Sequence, residues 1–220
     1  MKLNKRLSTL ASMVTQQYDH IWDCCCDHGH LGIELLQSGS NATVHFVDVV
    51  EPLIEAVRGK LQTQFPDTHK WTAHCADLNQ LILPETQSKN LLIIAGVGGD
   101  LIIQFVCNIL SNNPDIEIEF LLCPVRHNFK VRQNMKGLGL KLINESLLAD
   151  KGLFYEVIHI GPDADAEIET TGSLMWDLSD PDHQNYLEQK INHYQRAARS
   201  KPDEYEKTLA AYKRLKTTHQ

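Results

Sequence analysis

Three aspartates, Asp23, Asp48 and Asp77, each close a short apolar run; one glycine-bearing turn follows the first of those runs and a second follows a fourth apolar run. The first turn reads Trp22-Asp23-Cys24-Cys25-Cys26-Asp27-His28-Gly29-His30-Leu31-Gly32, and the second Ile94-Ala95-Gly96-Val97-Gly98-Gly99. A carboxylate at Asp23 can hold an ammonium group, and a tight turn beside it, which includes Cys25, lets backbone N–H groups approach a carboxylate. Asp48 stands 25 residues beyond Asp23, where an acid can take both hydroxyls of a ribose. Asp77, ending Cys75-Ala76-Asp77, can accept from the amino group of an adenine.

Each acid also has a plainer reading. Asp27 can serve as a helix cap, Asp48 can simply end a strand, and Asp77 can brace a turn. Three acids at successive strand ends say more than any one of them, and together they suit S-adenosylmethionine, with its amino acid, ribose and adenine. Ala95, Gly96 and Gly98 would let backbone lie against that flat ligand. A phosphate-binding loop would need a Lys-Ser/Thr pair after the glycines, and none follows. Cys24, Cys26, His28 and His30 are thiol and imidazole groups close in sequence, which raises zinc. Cys24 and Cys26, however, would share one strand face toward the core, and no second ligand pair accompanies them. No metal is expected.

These residues need a sheet to position them. Apolar runs predict strands at His20–Cys25, Thr43–Asp48, Lys70–Cys75, Asn90–Ala95, Glu117–Cys123, Leu140–Leu147 and Leu153–Ile160. Several are nearly continuous in apolar residues, as in strands covered on both faces. Leu3, Leu7, Leu10, Ala11 and Val14 predict an opening amphipathic helix. Helices are expected between the first five strands, with Pro52 in the first turn of one and Asp100 at the start of another. Alternation of this kind gives a mainly parallel sheet with right-handed crossovers. The last two strands form a hairpin and make one edge antiparallel. The predicted class is therefore α/β, a Rossmann-like seven-stranded sheet over residues 1–160. Residues 161–175, rich in Asp, Glu, Thr and Gly, are expected to be a surface linker. Two helical stripes follow, Leu187/Ile191/Tyr194/Ala198 and Tyr205/Leu209/Tyr212/Leu215, broken at Ser200-Lys201-Pro202. They make residues 176–220 a helical hairpin.

Composition narrows the setting. The 220 residues are 42% hydrophobic and 22% charged, ordinary values for a globular protein, and no apolar run approaches the roughly 20 residues that cross a bilayer. The basic start, Met1 to Arg6, lacks the apolar stretch of a secretory signal. Six cysteines, three of them adjacent, make a poor disulfide framework and point to reduced thiols in the cytoplasm. The net charge of −7 argues against a surface that coats nucleic acid uniformly. It is uneven, though: Lys190 to Gln220 carries eight Lys/Arg against three Asp/Glu.

The sequence resembles the bacterial tRNA (adenine-N1) methyltransferases that modify adenine 22, in the D-loop region. Leu3-Asn4-Lys5-Arg6-Leu7 is similar to that family's opening L-S-K-R-L, and Asp23-x-x-x-Asp27-His28 to its D-x-G-x-D-H. Ile94-Ala95-Gly96-Val97-Gly98-Gly99 matches I-A-G-M-G-G. Pro124, His127 and Arg132 match Q-P-N-x-H-x-x-x-x-R, and Gly152-x-x-Tyr155-Glu156-Val157 matches D-G-x-x-Y-E-V. The family also ends in a helical hairpin. Two departures stand out: Cys25 replaces a glycine of the cofactor loop, and Cys123 and Val125 replace the Gln and Asn that flank Pro124.

The resemblance implies an S-adenosylmethionine-dependent enzyme acting on tRNA. Adenine N1 already carries a lone pair, so catalysis is mostly positioning, with acceptors holding the N6 amino group as N1 gains charge. Asp27, His28 and the backbone after Ala95 are the candidates for that role, although His28 fits a capping or core position equally well. The base would flip out of its stack. The basic residues of the hairpin, with Lys2, Lys5 and Arg6, would contact tRNA phosphates. The protein could act as monomer or homodimer. Alternatives are a methyltransferase for another RNA, a protein or a small molecule, and a non-catalytic binding module that has lost its cofactor, for which Cys25 speaks.

Overall fold

The computed structural model describes residues 3–66, 68–84 and 87–218. Seven strands form one sheet: β1 His20–Cys24, β2 Thr43–Asp48, β3 Trp71–Cys75, β4 Asn90–Ala95, β5 Ile118–Cys123, β6 Lys141–Asp150 and β7 Leu153–Gly161, in the spatial order β3-β2-β1-β4-β5-β7-β6. The first five pair in parallel, while β7 runs antiparallel to both β5 and β6. The order reverses between β1 and β4, and there the carboxyl ends of neighbouring strands open a crevice for a ligand. Helix α1 covers Lys5–Ser12, α2 His30–Gln37, α3 Glu51–Gln64, α4 Gly99–Asn112 and α5 Asn128–Gly137, with α6 at Pro181–Ser200 and α7 at Pro202–Thr218.

Burial explains the central strands. Every residue of β5, and Asn90 to Ile94 of β4, is buried, because helices cover both faces of a parallel sheet. At the antiparallel edge, Lys151 and Gly152 both adopt positive φ, 52° and 79°, the geometry of the two-residue turn that matches strand twist.

Two connections differ from expectation. No α-helix joins β3 to β4; among the described residues that stretch holds a 3-10 turn at Leu78–Gln80. Leu78, Leu81 and Leu83 are all buried in the core, and α4 supplies the hydrogen bonds a helix would have made for itself. Asn113 accepts from the Leu83 N–H at 2.8 Å and donates to the Leu81 carbonyl at 3.0 Å, while Asn112 donates to the Asn79 carbonyl. Conversely, α5 lies between β5 and β6, where no helix was expected. Its buried face is Asn128, Val131, Arg132 and Met135, half polar, so its apolar stripe is too thin to read.

Arg132 is fully buried and joins three parts of the chain. Its guanidinium donates to Glu145 of β6 at 2.6 Å and to Glu156 of β7 at 2.8 Å. Glu156 also accepts from Tyr186 of α6 at 2.7 Å, and Glu145 accepts from the N–H groups of Ser173, Leu174 and Met175. Removing one partner of such a cluster leaves a buried charge unpaired, which is costly. Residues 161–175, expected as a surface linker, accordingly lie packed: Ala166 bridges Leu142, and Ile168 and Met175 are buried. Tyr186, Leu187, Ile191 and Tyr212 of the helical pair are buried as well.

Candidate active site

β1 ends at Cys24, one residue earlier than its apolar run, because Cys25 turns the chain with φ at 54°. Asp27 and Gly29 follow at 51° and 69°, so three residues of this short loop are left-handed. Such a conformation costs a side-chain-bearing residue about 1–2 kcal/mol. Aspartate and glycine tolerate it far better than cysteine does. Alternation therefore breaks at the loop: Cys24 packs in the cluster beneath α4 and Cys26 in the cluster beneath α3. The two thiols do not share a face, contrary to the strand-based expectation.

Two of the acids fix this loop. Asp23 is buried, and one of its oxygens accepts from the Gly32 N–H at 2.9 Å, in the first turn of α2, where backbone N–H groups are otherwise unpaired. Asp48 accepts from the Asp27 N–H and the Val50 N–H, each at 3.1 Å. Across from it, β4 delivers Ala95 and Gly96, the latter at φ 82° with its N–H on the Cys123 carbonyl. Gly99 then starts α4 against the next loop: a Cβ there would stand 2.6 Å from the Arg126 carbonyl oxygen, so only glycine allows the approach.

Between the two loops lies a cavity of about 200 Å³. Asp23, Cys25, Asp27, His28, Ala95 and Gly96 line it, as do His30, Val97 and Arg6. Six of the nine residues expected in the site thus meet in one cavity. Asp48 braces the loop from behind. Asp77 caps the 3-10 turn, one oxygen taking the Asn79 N–H at 2.9 Å and the Asn79 side chain at 2.8 Å. Gly98 is the N-cap of α4, beside the Arg126 side chain.

Burial governs the electrostatics. It pushes the Asp23 carboxyl up to about 7, with the Gly32 N–H offsetting part of the shift and the Asp48 charge adding to it. Burial likewise raises the Cys25 thiol to about 12 and the Cys24 and Cys26 thiols well above the ordinary range, so all three stay neutral and poorly nucleophilic. His28 stands 3.7 Å from Asp27, both exposed at the cavity mouth.

Arg6 was expected on a tRNA-facing basic surface with Lys2 and Lys5. It instead reaches into the cavity, and Lys5 donates to the Ala149 carbonyl at 2.8 Å; Lys2 lies outside the described residues. The cause is the docking of α1, whose Leu7 and Leu10 pack with Leu31, Ala95 and Tyr155. That face turns Arg6 toward Gly96. The amphipathic spacing of the opening helix carried this signal, once the sheet to which it docks was known.

Comparison with known proteins agrees with this arrangement. The sequence profile of the family described as "Methyltransferase domain" matches residues 3–158. This chain belongs to that methyltransferase family. Within it, a Mycoplasma pneumoniae protein described as a candidate tRNA methyltransferase is 28% identical over 160 residues, covering 72% of this chain and 71% of its own length. Among solved structures, a Streptococcus pneumoniae protein described as a candidate tRNA (m1A22) methyltransferase superposes with a TM-score of 0.78 at 20% identity, covering 97% of this chain and 99% of its own. It has also been solved with S-adenosyl-L-methionine. The B. subtilis m1A22 tRNA methyltransferase superposes at 0.75 with 16% identity, covering 97% and 98%. The methyltransferase described here shares their whole architecture, terminal helical pair included.

Proposed function

We propose that this methyltransferase uses S-adenosylmethionine to methylate N1 of adenine 22 in the D-arm region of tRNA. The carrying observation is the cavity at the sheet's switch point, where a buried acid, left-handed backbone and the Ala95–Gly96 edge converge. The likeness to tRNA m1A22 methyltransferases supports the substrate.

The residues present fit the cofactor. Asp23 holds the ammonium of its amino acid through the oxygen that Gly32 leaves free. Asp48 stands ready for the ribose hydroxyls, and Asp77 offers its second oxygen to the adenine amino group. Ala95, Gly96 and Gly98 let backbone lie along the ligand. The thiol of Cys25 packs partly against the core cluster beneath α4, so its side chain is compatible with a bound cofactor. The cofactor supplies an electrophilic methyl on a sulfonium.

The protein's task is then alignment. Adenine N1 needs no base to deprotonate it, and the neutral thiols of the loop supply none. Asp27 and the carbonyls after Ala95 accept from N6 as positive charge develops on N1, and His28 at the mouth helps seat the flipped base. Exposed Arg196, Arg199, Lys207 and Lys213 on the helical pair meet the tRNA backbone. Substrate of this kind, and free thiols throughout the described cysteines, support a cytoplasmic role. Among the described residues no helix is long and apolar enough to cross a membrane.

The test is methyl transfer to an unmodified tRNA transcript, followed by mapping of the modified base. Transfer to A22, abolished when that base is replaced by guanine, is expected. Methylation elsewhere, or cofactor binding without any transfer to tRNA, overturns the assignment. Deleting residues 176–220 is a poor probe of the helical pair, since Tyr186 and Tyr212 are core residues. Reversing charge at Arg196 and Arg199 keeps the fold and should lower tRNA affinity while making its salt dependence shallower.

A further inference from the structure

Among the described residues, Arg6 is the one strongly basic group that lines the cavity. Its guanidinium lies 5.3 Å from the centre of the Tyr155 ring, and its terminal nitrogens stand 3.7 and 3.8 Å from where a Gly96 Cβ would be. It is half-buried, yet among the described residues no carboxylate or carbonyl accepts from it. A guanidinium carries five donors in a planar fork suited to a carboxylate. Fixing such a group against an aromatic face while leaving its donors unpaired makes sense where an anion arrives from outside the protein.

The cavity wall also carries the complement. Asp23 is a buried acid with one oxygen that takes no hydrogen bond from the described residues. A cation at Arg6 and an acid at Asp23, in one small cavity, match the two charges of an α-amino acid zwitterion. We infer that Arg6 binds the carboxylate of the cofactor's amino-acid end while Asp23 takes its ammonium. This rests on the cofactor reading above and extends it to a residue from α1, outside the loops that frame the site. The helix start is built to hold it: the Asn4 side chain accepts from the Leu7 N–H at 2.9 Å, and Leu10 is fully buried. Helix α1 thereby becomes a wall of the cofactor site, and a bound carboxylate ties it to the sheet.

Calorimetry on the full chain separates the possibilities, using S-adenosylhomocysteine and its decarboxylated analogue, which keeps the amine. Arg6→Met, which keeps the aliphatic stem, should weaken S-adenosylhomocysteine binding by roughly ten- to a hundredfold, the usual range for hydrogen bonds to a charged group. The analogue should bind wild type and Arg6→Met equally, and Arg6→Lys should recover part of the loss. If Arg6→Met weakens both ligands alike, Arg6 only props the cavity wall and the inference is wrong. If it leaves S-adenosylhomocysteine binding intact but weakens tRNA binding, its anion is a phosphate, and the inference is equally wrong. Wild type that binds neither ligand overturns the cofactor reading itself, and a circular dichroism melt of each variant tells lost fold from lost contact.

Discussion

The two ends of the parallel strands hold buried acids of nearly equal exposure that behave in opposite ways. Asp23, at the carboxyl end of β1, is 5% exposed, and Glu119, at the amino end of β5, is 6% exposed. Burial raises the Asp23 carboxyl to about 7. Burial also works against Glu119, but hydrogen bonds from His159 and Tyr18, with the Lys89 charge, hold it below the ordinary carboxylate range. Those partners lie at 2.8 Å, 2.6 Å and 3.3 Å respectively. Asp23 has one backbone N–H and a cavity. At one end the polar groups satisfy each other; at the other, Asp23 and Arg6 are left for something else. The difference supports the carboxyl end of the strands as the proposed site, since perturbed and unpaired ionisable groups gather where a ligand will complete them.

The largest expected effect is on stability. Glu119→Ala removes the acceptor shared by His159, Tyr18 and Lys89, and should cost about 1–3 kcal/mol in urea unfolding, as leaving buried donors without their acceptor does. Its affinity for S-adenosylhomocysteine should stay at the wild-type value. Asp23→Asn should do the reverse, sparing stability and weakening the ligand. A matched loss of stability in both variants would erase the contrast between the two ends.

Much of the site-bearing end was legible from sequence because its signals are local. β2 and β4 run over the residues expected, and the acids at the ends of β1, β2 and β3 stand within one or two residues of the strand termini. What escaped is non-local. Glu119, His159 and Tyr18 are brought together from positions 40 and 101 residues apart in sequence. Arg132 finds Glu145 and Glu156 across 13 and 24 residues. No periodicity marks a residue whose partner lies on another strand. Helix α5 was hidden by the same cluster, since a buried arginine reads as an exposed one. Arg6 belongs to this class too: its type suggested a phosphate contact, and only the docking of α1 shows where it points.

The second effect is on pH dependence. A carboxyl whose folded value exceeds its unfolded one binds more protons in the native state, so Asp23 detracts from stability as pH rises from the ordinary carboxylate range through about 7. Glu119 has the opposite sign: its contribution is present above its unfolded value and is lost as pH falls through its lowered folded value. An ammonium ligand needs Asp23 ionised. Its affinity should therefore fall on the acid side of about 7, approaching roughly tenfold per pH unit where one proton must be released on binding. At still higher pH, where the ligand's own α-amino group loses its charge, affinity should decline again. Calorimetry across pH, in buffers of differing ionisation enthalpy, counts the proton directly. A flat acid limb in wild type would mean that Asp23 is already ionised without ligand; in Asp23→Asn a flat limb is the expected result.

The smallest effect concerns the loop itself. Cys25 and Asp27 hold nearly the same left-handed φ, 54° and 51°, but only aspartate belongs to the residue types that visit this region readily. Cys25→Gly should relieve backbone strain, against which stand the added entropy of a glycine in the unfolded chain and the lost contact of the thiol with the core cluster beneath α4. The balance should favour glycine by about 0.5–1 kcal/mol, and Asp27→Gly should show no such gain, because it relieves less strain and loses an anionic group at the cavity mouth. Paired thermal melts of the two variants read the difference. Ligand affinity in Cys25→Gly should change by no more than about fivefold, which is what about 1 kcal/mol of loop strain corresponds to if all of it opposes binding. A destabilised Cys25→Gly protein would show that core packing of the thiol, and not backbone geometry, decides which residue this loop accepts.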